Sequence, residues 1–388
     1  MICGTSLVVV SVDMKESGIN RVVGKSRENP EITEQDILAS LTKRYNAQNL
    51  PDVEKMEREK TPDEKYVIGV ANQVSNQVLL SVGLQLVDVD IGERNVHLIK
   101  HENWRARHKD SPVNSEVLLR DGAILVHEGP LLVLAHETLQ HMFRLKMFNA
   151  MQITDAPKDK NLKQDKNFKQ ELTAFRTGLS VVSRDGSVHR LQALNNALTE
   201  ELTMRAFADI TKDPVFENER EQTRKLIAMN KPEARHTHLR EGVLSAPRRS
   251  PLTAEEHTSP RHGLYFVQLV DSKDPKPKKR ATARRIDGKW ERGKDFVRYF
   301  APYIKERDIL NMLIEKLFKL NKGMFKEREN VFRLFVQVAT TGNMTPLRIL
   351  NKTFKRDVLS KLGELDQRTK DKKPDIPALE NYVSGLPG

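Results

Sequence analysis

Leu131-Leu-Val-Leu-Ala-His-Glu-Thr-Leu-Gln-His-Met-Phe-Arg144 opens on five apolar residues and then sets two histidines and a glutamate into an otherwise apolar, helix-forming run. A second such run, Leu191-Gln-Ala-Leu-Asn-Asn-Ala-Leu-Thr-Glu-Glu-Leu-Thr-Met-Arg205, carries a glutamate pair. Two imidazoles and a carboxylate from a second helix are the ligand set of a zinc hydrolase. The glutamate directly after the first histidine is then placed to act on a metal-bound water. The two runs therefore predict facing helices with one Zn2+ between them, held by His136, His141 and Glu200, with Glu137 as general base. The fold class expected around them is α+β, mostly helical, with a small sheet and hairpin.

The spacing is the difficulty. In an α-helix residues four apart lie about 40° apart in azimuth and residues five apart about 140°, from ~3.6 residues per turn. His136 and Gln140 therefore share a face, and His141 reaches the same ion only if the helix widens locally, as a π-turn would allow. Gln140 itself is a poor zinc ligand, because a neutral amide oxygen is hard and weakly basic. On the second run Asn196 and Glu200 face one way, with Glu201 about 100° round. Glu200 is the first choice of ligand, with Glu201 and Asn196 as alternates. A hydrolase also needs oxyanion stabilisation, which His189 and Arg190, just before the second run, could supply. The competing reading is inert: a His-Glu pair on an apolar helix face is common in cores, and Glu-Glu is common on helix surfaces.

Composition narrows the class. The chain has 388 residues, 38% apolar and 30% charged, enough for one large domain or two smaller ones. No apolar run approaches the ~20 residues of a membrane helix. The opening Ile2–Val12 lacks a basic flank and a cleavage site, so it reads as a buried strand or loose terminus and the chain as cytoplasmic. One cysteine, Cys3, excludes an intrachain disulfide and any thiolate-rich metal site. The net charge is +12, and Lys273 to Lys294 holds ten Lys/Arg against three Asp/Glu. That run, with Lys278, Lys279, Arg280, Arg284 and Arg285, could engage nucleic acid or an acidic partner. A solvated loop is the preferred reading, since a charge run alone specifies little and Trp290 is the only aromatic there able to stack on a base. His236, His238, His257 and His262 fall in Pro/Arg/Ser-rich sequence that reads as a loop.

Outward from the two runs, punctuation gives the organisation. Thr61-Pro62-Asp63-Glu64 is a helix start, and the helix runs to Gly83. Glu34–Tyr45 is amphipathic. Asn95–Lys100 and Ala123–Val126 read as strands. Asp185-Gly186 between two β-prone runs predicts a hairpin. Gly263–Val270 reads as a strand and Asp295–Leu365 as helical. The divisions expected are a polar N-terminal segment 1–60, a catalytic domain 61–230, a linker and basic loop region 231–298 with one strand, a helical region 299–366, and a loose tail 367–388.

From Thr61 to Phe216 the chain resembles a group of zinc metallopeptidase-like proteins common in candidate-phylum bacteria. The resemblance is carried by the opening helix Glu64–Leu80, Asn95-Val96-His97, the His-Glu helix, the Gly178-Leu179 to Gly186 hairpin, and the second helix Leu194 to Arg205. Thr341-Gly342-Asn343 with Pro346-Leu347 extends it. The group's second histidine falls at Gln140, and its first glutamate of the second helix at Asn196. The His-Glu-x-x-x-His spacing with Thr199-Glu200-Glu201 is instead similar to the tubulin tyrosine carboxypeptidase-like gluzincins. The resemblance implies a zincin-like domain with a zinc site acting on a peptide or protein substrate. The alternative is an inactive relative that serves as a binding module.

Overall fold

The computed structural model describes residues 18–24, 31–84, 90–108, 114–154, 171–183, 185–219, 221, 266–270, 283–286, 289–292, 296–300, 303–369 and 372–388. The fold is α+β. In chain order its elements are β1 (Arg21–Val23), α1 (Glu34–Ala47), α2 (Pro51–Glu54), α3 (Pro62–Ser81), β2 (Val96–Ile99), α4 (His101–His108), β3 (Ser115–Leu118), β4 (Ala123–His127) and α5 (Leu131–Lys146). Then come β5 (Asn149–Thr154), β6 (Glu171–Thr177), β7 (Ser180–Val182), β8 (His189–Arg190) and α6 (Gln192–Ile210). Strands β9 (Phe266–Val270), β10 (Ala283–Ile286), β11 (Lys289–Arg292) and β12 (Phe296–Phe300) precede five helices. These are α7 (Ile304–Leu320), α8 (Arg328–Thr341), α9 (Arg348–Phe354), α10 (Val358–Leu365) and α11 (Ile376–Ser384).

Helix α3 starts where its cap residues dictate. Thr61 and Glu64 form a reciprocal capping box, and Pro62 fills the first turn, where no N–H is needed. Its apolar face, Val67, Ile68, Ala71, Val74 and Val78, is buried against α5 and α6. Strand β4 leads through Gly129-Pro130 into α5, which is buried almost all round from Leu134 to Lys146. A helix so enclosed is central to a core rather than a surface element.

Two sheets flank this trio. In the three-stranded sheet, order β2-β4-β3, β2 runs parallel and β3 antiparallel to β4. Side chains alternate: Val96, Leu98, Ile124 and Val126 join the main core, while Ile99 and Leu125 meet Val53 and Trp104 on the other face. His97 belongs to that outer face, where Nδ1 lies 2.8 Å from Glu57, so it does not face α5. The second sheet runs β1-β5-β6-β7-β8 and includes the hairpin expected at Asp185-Gly186.

Three regions differ from the expectation. The 1–60 segment contributes to the core: Tyr45 of α1 packs there, and Ile37 and Leu41 pack on β1 and β5. Residues 296–300, expected helical, form β12 paired with β9, because Phe-Val-Arg-Tyr-Phe is the aromatic and β-branched composition that strands prefer. The tail expected to be loose forms α11, which Asp375 caps and whose Leu379 and Val383 are wholly buried. The main core runs without a break from α3, α5 and α6 through α7, α8, α10 and α11. Among the described residues no helix is long and apolar enough to cross a membrane.

Candidate functional site

Both helices of interest are anchored from afar. Neither carries a side-chain cap of its own. At α5 the Glu219 carboxylate accepts from Leu131 N at 2.6 Å and Leu132 N at 2.9 Å. At α6 the buried Asp366 accepts from Ala193 N and Leu194 N at 2.8 and 3.3 Å. Acceptors here satisfy orphan N–H groups and oppose the helix dipole.

Between the helices, His136 Nε2 meets Glu200 Oε1 at 2.9 Å, with side chains 1% and 0% exposed. Gln140 Nε2 donates to the other oxygen, Oε2, at 2.8 Å. His136 and Gln140, one turn apart, thus share Glu200, and Phe207 lies edge-on to the His136 ring, 5.8 Å between centroids. Burial alone would strip the proton from His136; Glu200 and Glu137 outweigh it and raise its pKa to about 9. The buried carboxylates thus favour the protonated form of His136.

Glu137 and His141, also one turn apart, face β3 instead. Ser115 Oγ donates to Glu137 Oε2 in a very short contact, and His141 Nε2 lies 2.7 Å from the same hydroxyl oxygen. Burial presses the Glu137 pKa upward, but His136 and Ser115 hold it below the ordinary value. Its other oxygen, Oε1, lies 3.8 Å from His136 Nδ1, an ion-pair distance too long for a hydrogen bond. Burial, reinforced by Arg144, takes His141 the opposite way, to about 3, so this imidazole is neutral.

α5 is an unbroken α-helix, without the local widening that the five-residue spacing would need. The residues expected to share an ion therefore stand as two neighbouring sets, His136–Glu200 and Glu137–His141. Glu201 turns away to Arg307 Nε and Asn311 Nδ2, both at 2.9 Å, and ties α6 to α7. Asn196 accepts from Arg144 at 3.3 Å. His189 bridges Arg368 through its backbone, and Arg190 lies against Gly363. Among the described residues no hydrogen bond joins either to the buried four. Lys278, Lys279, Arg280 and the histidines at 236, 238, 257 and 262 lie outside the described residues. Arg284 and Arg285 fall on β10, opposite Glu291 and Trp290 of β11.

Among the described residues no group of three or more His, Cys, Asp or Glu side chains converges to hold a metal ion. In kind, the donors fit zinc, which prefers imidazole and carboxylate. In place, His136 and Glu200 already form one edge of such a set. The third expected donor, His141, faces Ser115 of β3 rather than this pair, so the described side chains do not close a set of three. Ser115 went unnoticed in the sequence. Its strand has no alternating pattern, and only Asp121-Gly122, a hairpin turn signal, hints that Ser115–Leu118 folds back on Ala123–His127. No protein-family model, curated protein or solved structure matches this chain.

Proposed function

We propose that the α5–α6 site belongs to a zinc-dependent peptidase, in which His136, Glu200 and His141 hold one zinc ion and Glu137 is the general base. The observation that carries this reading is the His136–Glu200 pair. An ion pair with almost no solvent contact costs several kcal/mol of desolvation, and apolar residues of similar size would fill a core without that cost. Such pairs gather where chemistry needs them. Zinc would supply a Lewis acid able to polarise a carbonyl and bring water towards a pKa of about 7. The chain's own part is to keep Glu137 ionised and therefore ready to take a proton, to hold it by Ser115, and to exclude bulk water from His136 and Glu200. Strand β3 supports a peptide substrate. It pairs with β4 on one edge only among the described strands, so an extended chain could add to its other edge beside Glu137.

The test is metal content. Purified wild type should carry close to one zinc per chain, and His136→Ala and Glu200→Gln should lose it while keeping their far-UV circular dichroism. Folded wild type that takes up no zinc, even on reconstitution, overturns the reading. The separation of His141 from the His136–Glu200 pair favours a second reading, an inactive relative that binds partners. Its basic 273–294 segment would then bind DNA or RNA with a steep salt dependence that is lost on neutralising Lys278, Lys279, Arg280, Arg284 and Arg285.

A further inference from the structure

The turn that joins α7 to α8 is fixed at its base and open at its tip. Met324 N and Phe325 N both donate to Asn321 O, at 2.8 and 3.0 Å, and the Phe325 side chain is buried in the main core. At the tip, a Cβ on Gly323 would meet nothing within 4 Å. Four large hydrophobic side chains are exposed among the described residues, and two of them, Leu320 at 44% and Met324 at 60%, stand in this one turn. Single scattered apolar residues are ordinary on a surface. A pair on one projecting tip is not scattered.

The surroundings of the pair are basic. Lys319, Lys322 and Lys326 flank it in sequence and are exposed. Asn321 Nδ2 donates to Thr353 Oγ1 at 3.0 Å, which sets the end of α9 beside the turn. Arg348, Lys352 and Lys355 recur there at i, i+4 and i+7, the spacing of one helix face, and all three are exposed, while Leu350 and Phe354 are buried. Residues 315–328 and 348–357 together hold nine Lys or Arg against three Asp or Glu. Two of those acids are already engaged: Glu315 by Lys319 and Arg328, at 3.8 and 3.6 Å, and Asp357 by Asn351 and the backbone of Ser360. Among the described residues none of Lys322, Lys326, Lys352 and Lys355 is in an ion pair.

We propose that this tip docks on an anionic lipid surface, with Leu320 and Met324 entering the boundary between headgroups and acyl chains and the lysines around them lying against the headgroup charges. Apolar insertion beside a basic ring binds a membrane face without a spanning helix. A nucleic acid would satisfy the lysines but leave the apolar pair unused, because bases stack on aromatic rings and Phe325 and Phe354 are turned into the core. A lipid surface also suits a projecting tip, since it yields around an inserted side chain, where a folded protein must supply a matching pocket. The proposal is independent of the peptidase reading.

The test is sedimentation of the full chain with vesicles of phosphatidylcholine, alone or mixed with phosphatidylserine, at low and at raised salt. Wild type should bind only the phosphatidylserine vesicles, and less as salt rises. Lys322→Gln with Lys352→Gln should weaken binding about 25-fold, roughly fivefold for each charge at about 1 kcal/mol. Leu320→Asn with Met324→Asn keeps every charge and should still weaken binding at least about tenfold, which attraction of the +12 chain as a whole would not produce. Neutralising Lys278, Lys279, Arg280, Arg284 and Arg285 together should cost less than the lysine pair. Equal binding by wild type and the Leu320/Met324 variant, loss confined to the 278–285 variant, or no vesicle binding at all overturns the proposal. So does binding of single-stranded RNA that the lysine pair weakens while vesicle binding stays unchanged. Should the Leu320/Met324 variant not fold, Met324→Cys in a Cys3→Ser chain, labelled with an environment-sensitive dye, decides. Blue-shifted emission on phosphatidylserine vesicles upholds the proposal, and unchanged emission overturns it.

Discussion

His141 makes the stability of this protein acid-sensitive in a way that can be isolated. Its folded pKa lies at about 3 and its ordinary value is 6.5. Between those limits the unfolded chain binds a proton that the folded chain refuses, so stability is full above about 6.5 and is lost as pH falls towards 3. The slope approaches about 1.4 kcal/mol per pH unit for one proton. His136 has the opposite sign. Its pKa is raised to about 9, so its contribution is full below about 6.5 and is lost as pH rises through 9. In His141→Gln the acid limb should vanish. Urea midpoints between pH 4 and 8, taken as differences from wild type so that other titrating groups cancel, check this. An unchanged slope would show that His141 is charged when folded.

At the same scale, two glycines separate backbone strain from crowding. Gly122 and Gly186 both adopt positive φ, +62° and +74°. A Cβ on Gly122 would fall 2.0 Å from Cδ2 of Tyr45, whereas nothing lies within 4 Å of one on Gly186. Gly186→Ala should cost only the left-handed strain, about 1–2 kcal/mol. Gly122→Ala adds displacement of a buried ring, and the sum should reach about 3–4 kcal/mol. Thermal melts that rank the two equally would refute the crowding argument.

Among elements, hairpins and capped helices were legible and long-range caps were not. Asp-Gly occurs at 121–122, 185–186 and 287–288. Each falls between antiparallel partners: β3 and β4, β7 and β8, β10 and β11. Read evenly, the dipeptide would have exposed all three hairpins, including the one that delivers Ser115. The α5 and α6 helices were plain from their sequences, but which residues face each other was not. A helix offers both the 136/140 and the 137/141 faces, and only the placement of α6 and β3 decides what each meets. Asp366 shows the same limit, since no local pattern links it to residue 193. Losing that carboxylate, Asp366→Ala should cost about 2 kcal/mol by orphaning buried N–H groups at the start of α6. Burial raises the Asp366 pKa to about 7 against an ordinary 3.8. Its contribution is therefore full below about 3.8 and lost as pH rises to 7. Asp366→Asn keeps an acceptor without the charge, so it should cost less than the alanine and flatten that limb; chemical unfolding of both variants at pH 5 and 8 distinguishes them.

At the scale of the whole molecule, the C-terminal helix supports the candidate site although it never touches it. Charge and proline around Lys372-Lys373-Pro374 make the tail look solvated, and nine residues are too few for a convincing helical period. Yet Leu379, Val383 and Leu386 are at most 3% exposed, and Lys316 of α7 donates to the carbonyls of Ser384 and Leu386. α11 packs on α7. α7 in turn holds Glu201 through Arg307 and Asn311, one residue from Glu200. Truncation after Gln367 removes three buried side chains worth about 1.5–3 kcal/mol each, comparable with the whole stability of many domains at about 5–15 kcal/mol. The truncated chain should therefore melt far below wild type or fail to fold. Where it does fold, the His136–Glu200 contact should loosen, because α6 has lost the scaffold that fixes its register against α5; on the proposed zinc reading, uptake falls with it. A truncated chain with a wild-type melting temperature would show instead that α11 is an appendage and that the core ends at α10.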